Sequence, residues 1–97
     1  MEKMNEEEFR KYLKQRGKKP SVVDGNVNAL NDFTSYLHKK REKDLGEVET
    51  DDVGAFLAEI ENRKQSAKGY LYVLMNYFRF IGNKELLHHA SALRDER

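Results

Sequence analysis

The chain has 97 residues, of which 38% are hydrophobic and 36% are charged, and it contains no cysteine. This length accommodates one domain with a modest core, and the absence of cysteine excludes a disulfide framework and thiolate metal ligands. No apolar run reaches the roughly 20 residues of a membrane span. The N-terminus also lacks the apolar stretch of an export signal, so we expect a cytoplasmic protein with no membrane partner.

The net charge of +1 hides a separation of charges along the chain. Residues 44–62 contain seven acidic residues and no basic one, whereas residues 63–84 contain five basic residues and no acidic one. A second basic stretch lies between Arg10 and Lys19. Because local charge says more about binding partners than the net value does, the balance of +1 does not exclude nucleic acid.

The first predicted helix begins near Asn5, a residue type that caps free backbone amides. Its first turn carries Glu6, Glu7 and Glu8, which suit the positive end of the helix dipole. Gly17 is predicted to end the helix, in the left-handed position that glycine adopts most readily.

The second predicted helix begins at Pro20 and Ser21 and ends in the polar run from His38 to Lys43. Its apolar residues recur at the helical steps of three and four: Val23, Val27, Leu30, Phe33 and Leu37. Gly25 weakens a helix by about 1 kcal/mol relative to alanine, and we expect it to permit close approach of another helix. Leu45 and Gly46 are predicted to form the following turn.

The third predicted helix runs from a Thr50 cap to about Asn62, with Asp51 and Asp52 as charges at its positive end. Its spacing predicts one buried face, made of Val53, Phe56, Leu57 and Ile60.

The fourth predicted helix runs from a Ser66 cap to Ile81 and is closed by Gly82 and Asn83. Between residues 70 and 81 only Asn76 and Arg79 are polar. A helix that is apolar on nearly all sides is normally packed by several neighbours, so we expect it at the centre of the fold. Its aromatic residues are therefore expected in the core, except Tyr72, which lies off the apolar rows.

The fifth predicted helix, about residues 84–94, carries Leu86, Leu87, Ala90 and Leu93. It either folds back on the bundle or leaves an apolar surface for docking, and we expect residues 5–82 to form a core that folds without it. The chain as a whole is predicted to be a single all-α domain, residues 1–97, built as a compact bundle of four to five short helices. The terminal ArgAspGluArg carries no stop signal and is consistent with a fragment of a longer protein.

No motif of an active site or metal site is present in the sequence. Glycine-rich phosphate loops are missing, and His88 and His89 are adjacent, so on a helix they point about 100° apart and cannot converge on one ion. Asp51 and Asp52 have the pattern of helix-cap charges rather than of a catalytic pair. We therefore predict no catalytic residue, no cofactor and no metal for this chain.

Two segments share a pattern that suits phosphate binding. LysLysProSer opens the second helix and ArgLysGlnSer opens the fourth, so that in both cases basic residues and a serine lie at a helix start. Free backbone amides, a hydroxyl and lysines can together hold a phosphate. If the two helix starts lay side by side they would form one basic surface, with the acidic third helix facing away. Solvated lysines at loop ends are the alternative interpretation.

In the order and spacing of these elements, the chain resembles the core-binding domain of tyrosine recombinases (phage integrases), a SAM-like helical domain. The resemblance covers about residues 6–82. Places where the family often carries threonine and tyrosine hold Val22 and Asn26 here. The matching segments are PheArgLysTyrLeuLysGlnArgGly from Phe9 to Gly17, then Leu30, Phe33, Tyr36 and Leu37, then ValGluThrAspAspValGlyAlaPheLeu, and finally Ser66, Leu71, Leu74, Tyr77, Phe78 and Phe80.

The resemblance implies a domain that binds double-stranded DNA as half of a clamp, with the second and fourth helices approaching the major groove. It implies no catalysis in this chain, because the family's catalytic residues belong to a separate C-terminal domain of a parent recombinase. It also implies self-association through the terminal helix. The DNA contacts it suggests here are Lys18, Lys19, Ser21, Asn26 and Asn28 from the second helix, and Lys64, Gln65, Ser66, Lys68 and Tyr72 from the fourth.

The roles of these residues follow from their chemistry. Lysines would neutralise phosphates, serines would bond phosphate oxygens, and asparagine or glutamine could bind an adenine edge. Five or six phosphate contacts would make the affinity fall steeply with salt. A helical module that binds a protein, through the acidic third helix or the apolar fifth helix, is the alternative function.

Overall fold

The computed structural model describes residues 6–96, and within that range the chain folds into helices and turns without a strand. This confirms the predicted all-α bundle. The helices are α1 (Glu6–Gln15), α2 (Pro20–Tyr36), α3 (Thr50–Asn62), α4 (Ala67–Ile81) and α5 (Lys84–Asp95). None of them is both long enough and apolar enough to cross a membrane.

The N-terminal helix α1 packs on the bundle through Phe9 and Leu13, which are fully buried. Gly17 follows it with a φ of +82°, in the left-handed region that the sequence predicted. The predicted cap, Asn5, lies outside the described residues. Arg10 ties α1 to the next helix, because its Nη1 lies 2.7 Å from the Asp24 carboxylate.

Helix α2 begins at Pro20 as predicted, and its five periodic apolar residues are all buried. The helical path continues through a π-helical turn, Leu37–Arg41, and ends where Glu42 adopts a left-handed φ of +54°. Leu45–Glu47 then form a 3-10 turn, which confirms the turn predicted at Leu45 and Gly46. The expected close approach at Gly25 is wrong, because a Cβ built there meets no atom within 4 Å.

Helix α3 spans the residues predicted for it, but its cap differs. Glu49, not Thr50, is the N-cap residue: its side chain accepts a bond from the Asp52 amide, and its own amide donates to Asp52 Oδ2 across 2.8 Å. This reciprocal pair satisfies two backbone donors at the helix start. Asp52, which the sequence predicted as a charge at the helix start, is fully buried.

Helix α4 is the central element, in contact with each of the four other helices. The Ser66 hydroxyl caps it by accepting a bond from the Gly69 amide at 3.3 Å, and Gly82 ends it with a φ of +73°. Both features agree with the sequence prediction. Two of its aromatic side chains, Tyr77 and Phe78, lie in the core.

Helix α5 folds back on α4 and also contacts α3. Asn83 caps it by accepting a bond from the Leu86 amide at 3.0 Å. Leu86 and Ala90 belong to the buried core, with Leu87 and Leu93 packed against it. The first of the two predicted alternatives is therefore the observed one. The burial also argues against the expectation that a core ending near residue 82 would be complete.

Candidate nucleic-acid interface

Two side-chain hydrogen bonds define how α2 and α4 lie against each other. Asn76 Nδ2 donates to Asn26 Oδ1 across 3.0 Å, and the Tyr70 hydroxyl donates to Asp32 Oδ2 across 2.7 Å. Asn26, early in α2, thus contacts Asn76, late in α4. Asp32, late in α2, contacts Tyr70, early in α4. The two helices consequently run in opposite directions.

This arrangement separates the two helix starts that the sequence singled out. Helix α2 begins at Pro20, ahead of Asn26, while α4 begins at Ala67, ahead of Asn76. With a rise of about 1.5 Å per residue, the two starts lie roughly 20 Å apart, at opposite ends of the α2–α4 pair. They do not form the single side-by-side surface that we considered from the sequence. They form two separate clusters of basic and polar residues.

The first cluster, at the start of α2, consists of Lys18, Lys19 and Ser21, all of them exposed. Lys19 is the N-cap residue and provides no side-chain cap, so Ser21 and its neighbours in the first turn keep amides that lack a helical partner. Neither lysine forms an ion pair with another of residues 6–96. The cluster thus presents free positive charge and free N–H donors at one helix end.

The second cluster, at the α3–α4 turn, consists of Lys64, Gln65, Ser66 and Lys68, and again all are exposed. Lys64 has a φ of +61°, a left-handed conformation that is uncommon for lysine. Ser66 uses its oxygen to cap α4 and keeps its hydroxyl proton for another acceptor. As in the first cluster, the lysines have no ion-pair partner within the described part of the chain.

Tyr72 lies one turn beyond Lys68 on the surface of α4, with 51% of its area exposed. This confirms that Tyr72 lies outside the core, unlike Tyr77 on the same helix. The Arg94 guanidinium of α5 lies 5.8 Å from the centre of the Tyr72 ring, within the range of a cation–π contact. Sequence reasoning missed Arg94, because only the fold back of α5 brings it beside α4.

The two asparagines predicted from α2 differ in their surroundings. Asn28 is exposed, as a DNA contact would need to be. Asn26 is only 7% exposed, and besides accepting from Asn76 it donates to the Val22 carbonyl across 2.8 Å. Because this amide group is used on the protein interior, Asn26 acts as a link between two helices, and we leave it out of the interface.

The acidic block of residues 44–62 is largely neutralised by basic residues outside it. Asp52 accepts bonds from Arg41 Nε at 2.8 Å and from Lys43 Nζ at 2.7 Å. Within residues 6–96, the carboxylates of the block that form ion pairs with an arginine or lysine include Glu49, Asp51, Asp52 and Glu59. Ion pairs thereby offset much of the negative charge of this segment, and they do not involve the lysines of either cluster.

The buried carboxylate of Asp52 is stabilised in its ionised form. Burial by itself opposes ionisation, but the hydrogen bonds from Lys43, from the Glu49 amide and from Arg41 outweigh it and hold the pKa of Asp52 below its ordinary value. The bonds that Lys43 and Arg41 donate to Asp52 are the main cause of the raised pKa of each of these two residues. The group therefore behaves as a structural ion-pair network.

Oxygens of Glu49, Asp51 and Asp52 lie within 4.8 Å of one another, a spacing that could suit a cation. Arg41 and Lys43 already bind all three carboxylates, so their positive charges occupy the place that a metal ion would take. The trio is explained by these ion pairs and by the α3 cap.

No protein family, no curated protein and no solved structure matches the chain.

Proposed function

We propose that this chain is a non-catalytic DNA-binding domain that contacts duplex DNA through the outer surface of α2 and α4. The observation that carries the proposal is the division of the basic residues. Arg41 and Lys43 are paired with the acids at the start of α3, whereas the lysines of both helix-start clusters are exposed and have no ion-pair partner among residues 6–96. Unpaired cations grouped at helix starts supply the phosphate-binding charge that DNA affinity requires.

The separation of the two clusters also suits a duplex. The major groove of B-DNA is about 12 Å wide between its phosphate backbones, which themselves add several ångströms on each side. Clusters roughly 20 Å apart could each contact one of the two backbones, with the α2–α4 surface lying over the groove between them. This differs from a single basic corner, and it assigns the two clusters to different DNA strands.

The conformation of Lys64 supports a binding role for the second cluster. A left-handed conformation costs an ordinary residue roughly 1–2 kcal/mol, a cost that glycine avoids. Gly17 and Gly82 occupy such positions after other helices of this chain. Glu42 has the same conformation at the end of the α2 path, so the support for Lys64 comes from the positive φ together with its exposed, unpaired charge among residues 6–96.

Within this proposal the residues have distinct roles. Lys18, Lys19, Lys64 and Lys68 neutralise phosphates, and the serine hydroxyls of the two clusters donate to phosphate oxygens. Asn28 and Gln65 are the side chains able to bind an adenine edge, and Tyr72 packs its exposed ring on the sugar–phosphate backbone.

Consistent with the resemblance to tyrosine recombinases, we propose that the domain holds cytoplasmic DNA for a recombination or integration reaction. In this proposal another domain carries out the catalysis.

A protein-binding function is less well supported, because the fold uses both of the surfaces on which it depended. The carboxylates at the start of α3 are paired with Arg41 and Lys43. Leu86 of α5 is buried against the bundle. Among the described residues, ion pairs thus offset the acidic surface, and burial of Leu86 reduces the apolar one.

Fluorescence anisotropy with a labelled duplex tests the proposal. We expect micromolar or weaker binding at about 50 mM salt, because an isolated half-clamp makes few contacts. Charge reversal at Lys19, Lys64 or Lys68 should weaken binding several-fold. Lys11→Glu is the matched control, since Lys11 is also exposed but lies on α1, outside the proposed surface. Absence of binding at that salt, or equal effects of all four substitutions, would contradict the proposal.

A further inference from the structure

A hollow of about 300 Å³ lies at the seam between α4 and α5. Met75 and Leu87 supply its apolar walls. The remaining lining residues carry cationic, imidazole or hydroxyl groups: Arg79, Lys84, His88 and Ser91. None of the described residues that line it is a carboxylate. This lining therefore combines several hydrogen-bond donors and carries no negative charge.

Arg79 and Lys84 are available to a ligand. Arg79 Nη1 donates to Asn76 Oδ1 at 3.3 Å, within its own helix, and among residues 6–96 no other acceptor binds its guanidinium, so most of its donors are unused. Lys84 is exposed, and neither residue forms an ion pair with another of residues 6–96. An arginine fork beside an ammonium and a hydroxyl is an arrangement suited to the oxygens of a phosphate.

The hollow also lies in line with the proposed DNA surface. Lys68, Tyr72 and Arg79 follow one another along the same side of α4, at steps of four and seven residues. Because α5 runs back along α4, Arg94 lies beside Tyr72, while Lys84 lies beside Arg79. From Lys68 to Arg79 the rise is about 16 Å, so the hollow lies toward the late end of α4, the end near which α2 begins.

We propose that this hollow binds a phosphate of the DNA backbone. The inference rests on the proposed DNA-binding function and extends it to a helix that neither the sequence nor the integrase resemblance assigned to DNA. The ligand chemistry is a phosphate oxyanion. A free phosphate could supply the same oxygens, and the experiment separates the two sources.

The test uses the full chain and compares Arg79→Gln and Lys84→Gln with Lys68→Gln and with Lys11→Gln as the control. We expect each seam variant to weaken duplex binding about five- to tenfold and to lower the slope of log Kd against log salt by about 1. Lys11→Gln should change neither quantity. Circular dichroism checks that each variant is folded, and Arg79→Lys, which keeps the charge, should recover part of the lost affinity.

The outcomes separate this inference from the function on which it rests. If the unaltered chain fails to bind duplex DNA, the proposed function is wrong and the seam proposal falls with it. If the chain binds and Lys68→Gln weakens binding while both seam variants bind normally, the seam proposal alone is overturned.

An NMR titration with inorganic phosphate is the second experiment. Shifts at Arg79 and His88, combined with unaltered DNA affinity of the variants, would identify a free-phosphate site and overturn the assignment to the DNA backbone.

Discussion

Asn26 and Asn76, which are 50 residues apart in sequence, form a 3.0 Å hydrogen bond between α2 and α4. The bond joins the first half of one helix to the second half of the other, and so defines their opposite directions. It also determines that the two lysine clusters lie at opposite ends of the helix pair. The separation of about 20 Å between the two clusters, and hence between the two DNA backbones that we propose they contact, follows from this antiparallel helix arrangement.

Replacing Asn26 with alanine should lower stability, because Asn76 would lose its partner in a part-buried place. We expect a loss of about 1–2 kcal/mol in the free energy of unfolding. Asn28→Ala should change stability by less than about 0.5 kcal/mol, since Asn28 is exposed, but should weaken DNA binding. Urea unfolding and anisotropy measure the two effects. If Asn26→Ala were as stable as Asn28→Ala, the structural role given to Asn26 would be wrong.

The left-handed residues Lys64 and Glu42 provide a second pair of matched variants. Replacing either one with glycine should relieve backbone strain and raise the free energy of unfolding by roughly 0.5–1 kcal/mol. Lys64→Gly should nevertheless weaken DNA binding several-fold, whereas Glu42→Gly should not. Equal DNA affinities for the two stabilised variants would show that the Lys64 side chain has no role in binding.

The buried Asp52 should be far more important for stability than its neighbour Asp51, which is 70% exposed. Asp52→Asn removes the charge that Arg41 and Lys43 both contact, and we expect a loss of about 2–3 kcal/mol. Asp51→Asn should cost less than about 1 kcal/mol, as is usual for an exposed ion pair. Thermal and urea unfolding at neutral pH test this difference, and equal losses would contradict the network.

The same carboxylate should make stability depend on acid. The pKa of Asp52 is lowered in the folded chain, so its contribution is complete above the unfolded value of about 3.9 and disappears as the pH falls through the lower folded value. We therefore expect the loss of stability below about pH 4 to be shallower in Asp52→Asn than in the unaltered chain. Parallel acid unfolding curves for the two proteins would rule out this assignment.

Much of the fold is predictable because it depends on local chemistry. The spacing of Val23, Val27 and Leu30, the glycines that end α1 and α4, and the Ser66 cap all act within one or two helical turns. The prediction that α4 is central likewise followed from its nearly continuous apolar composition.

The remaining features depend on partners that are distant in sequence. Tyr70 and Asp32, which set the direction of α4, are 38 residues apart. Arg41 and Asp52 are 11 residues apart, and their pairing converts an apparently acidic segment into a neutralised one. Arg94 lies beside Tyr72 because α5 folds back along α4. Composition and periodicity carry no signal for such pairings, so the sequence located the two basic segments but not their separation.

The salt dependence of duplex binding tests the central claim most directly. Anisotropy titrations of the unaltered chain, from about 25 to 200 mM salt, give the slope of the logarithm of the association constant against log salt. Five or six neutralised phosphates predict a slope of about −5, and the triple variant of Lys19, Lys64 and Lys68 to glutamine should reduce its magnitude by about 3. A slope near zero, or an equal slope for the triple variant, would contradict the claim that these two helix starts bind DNA.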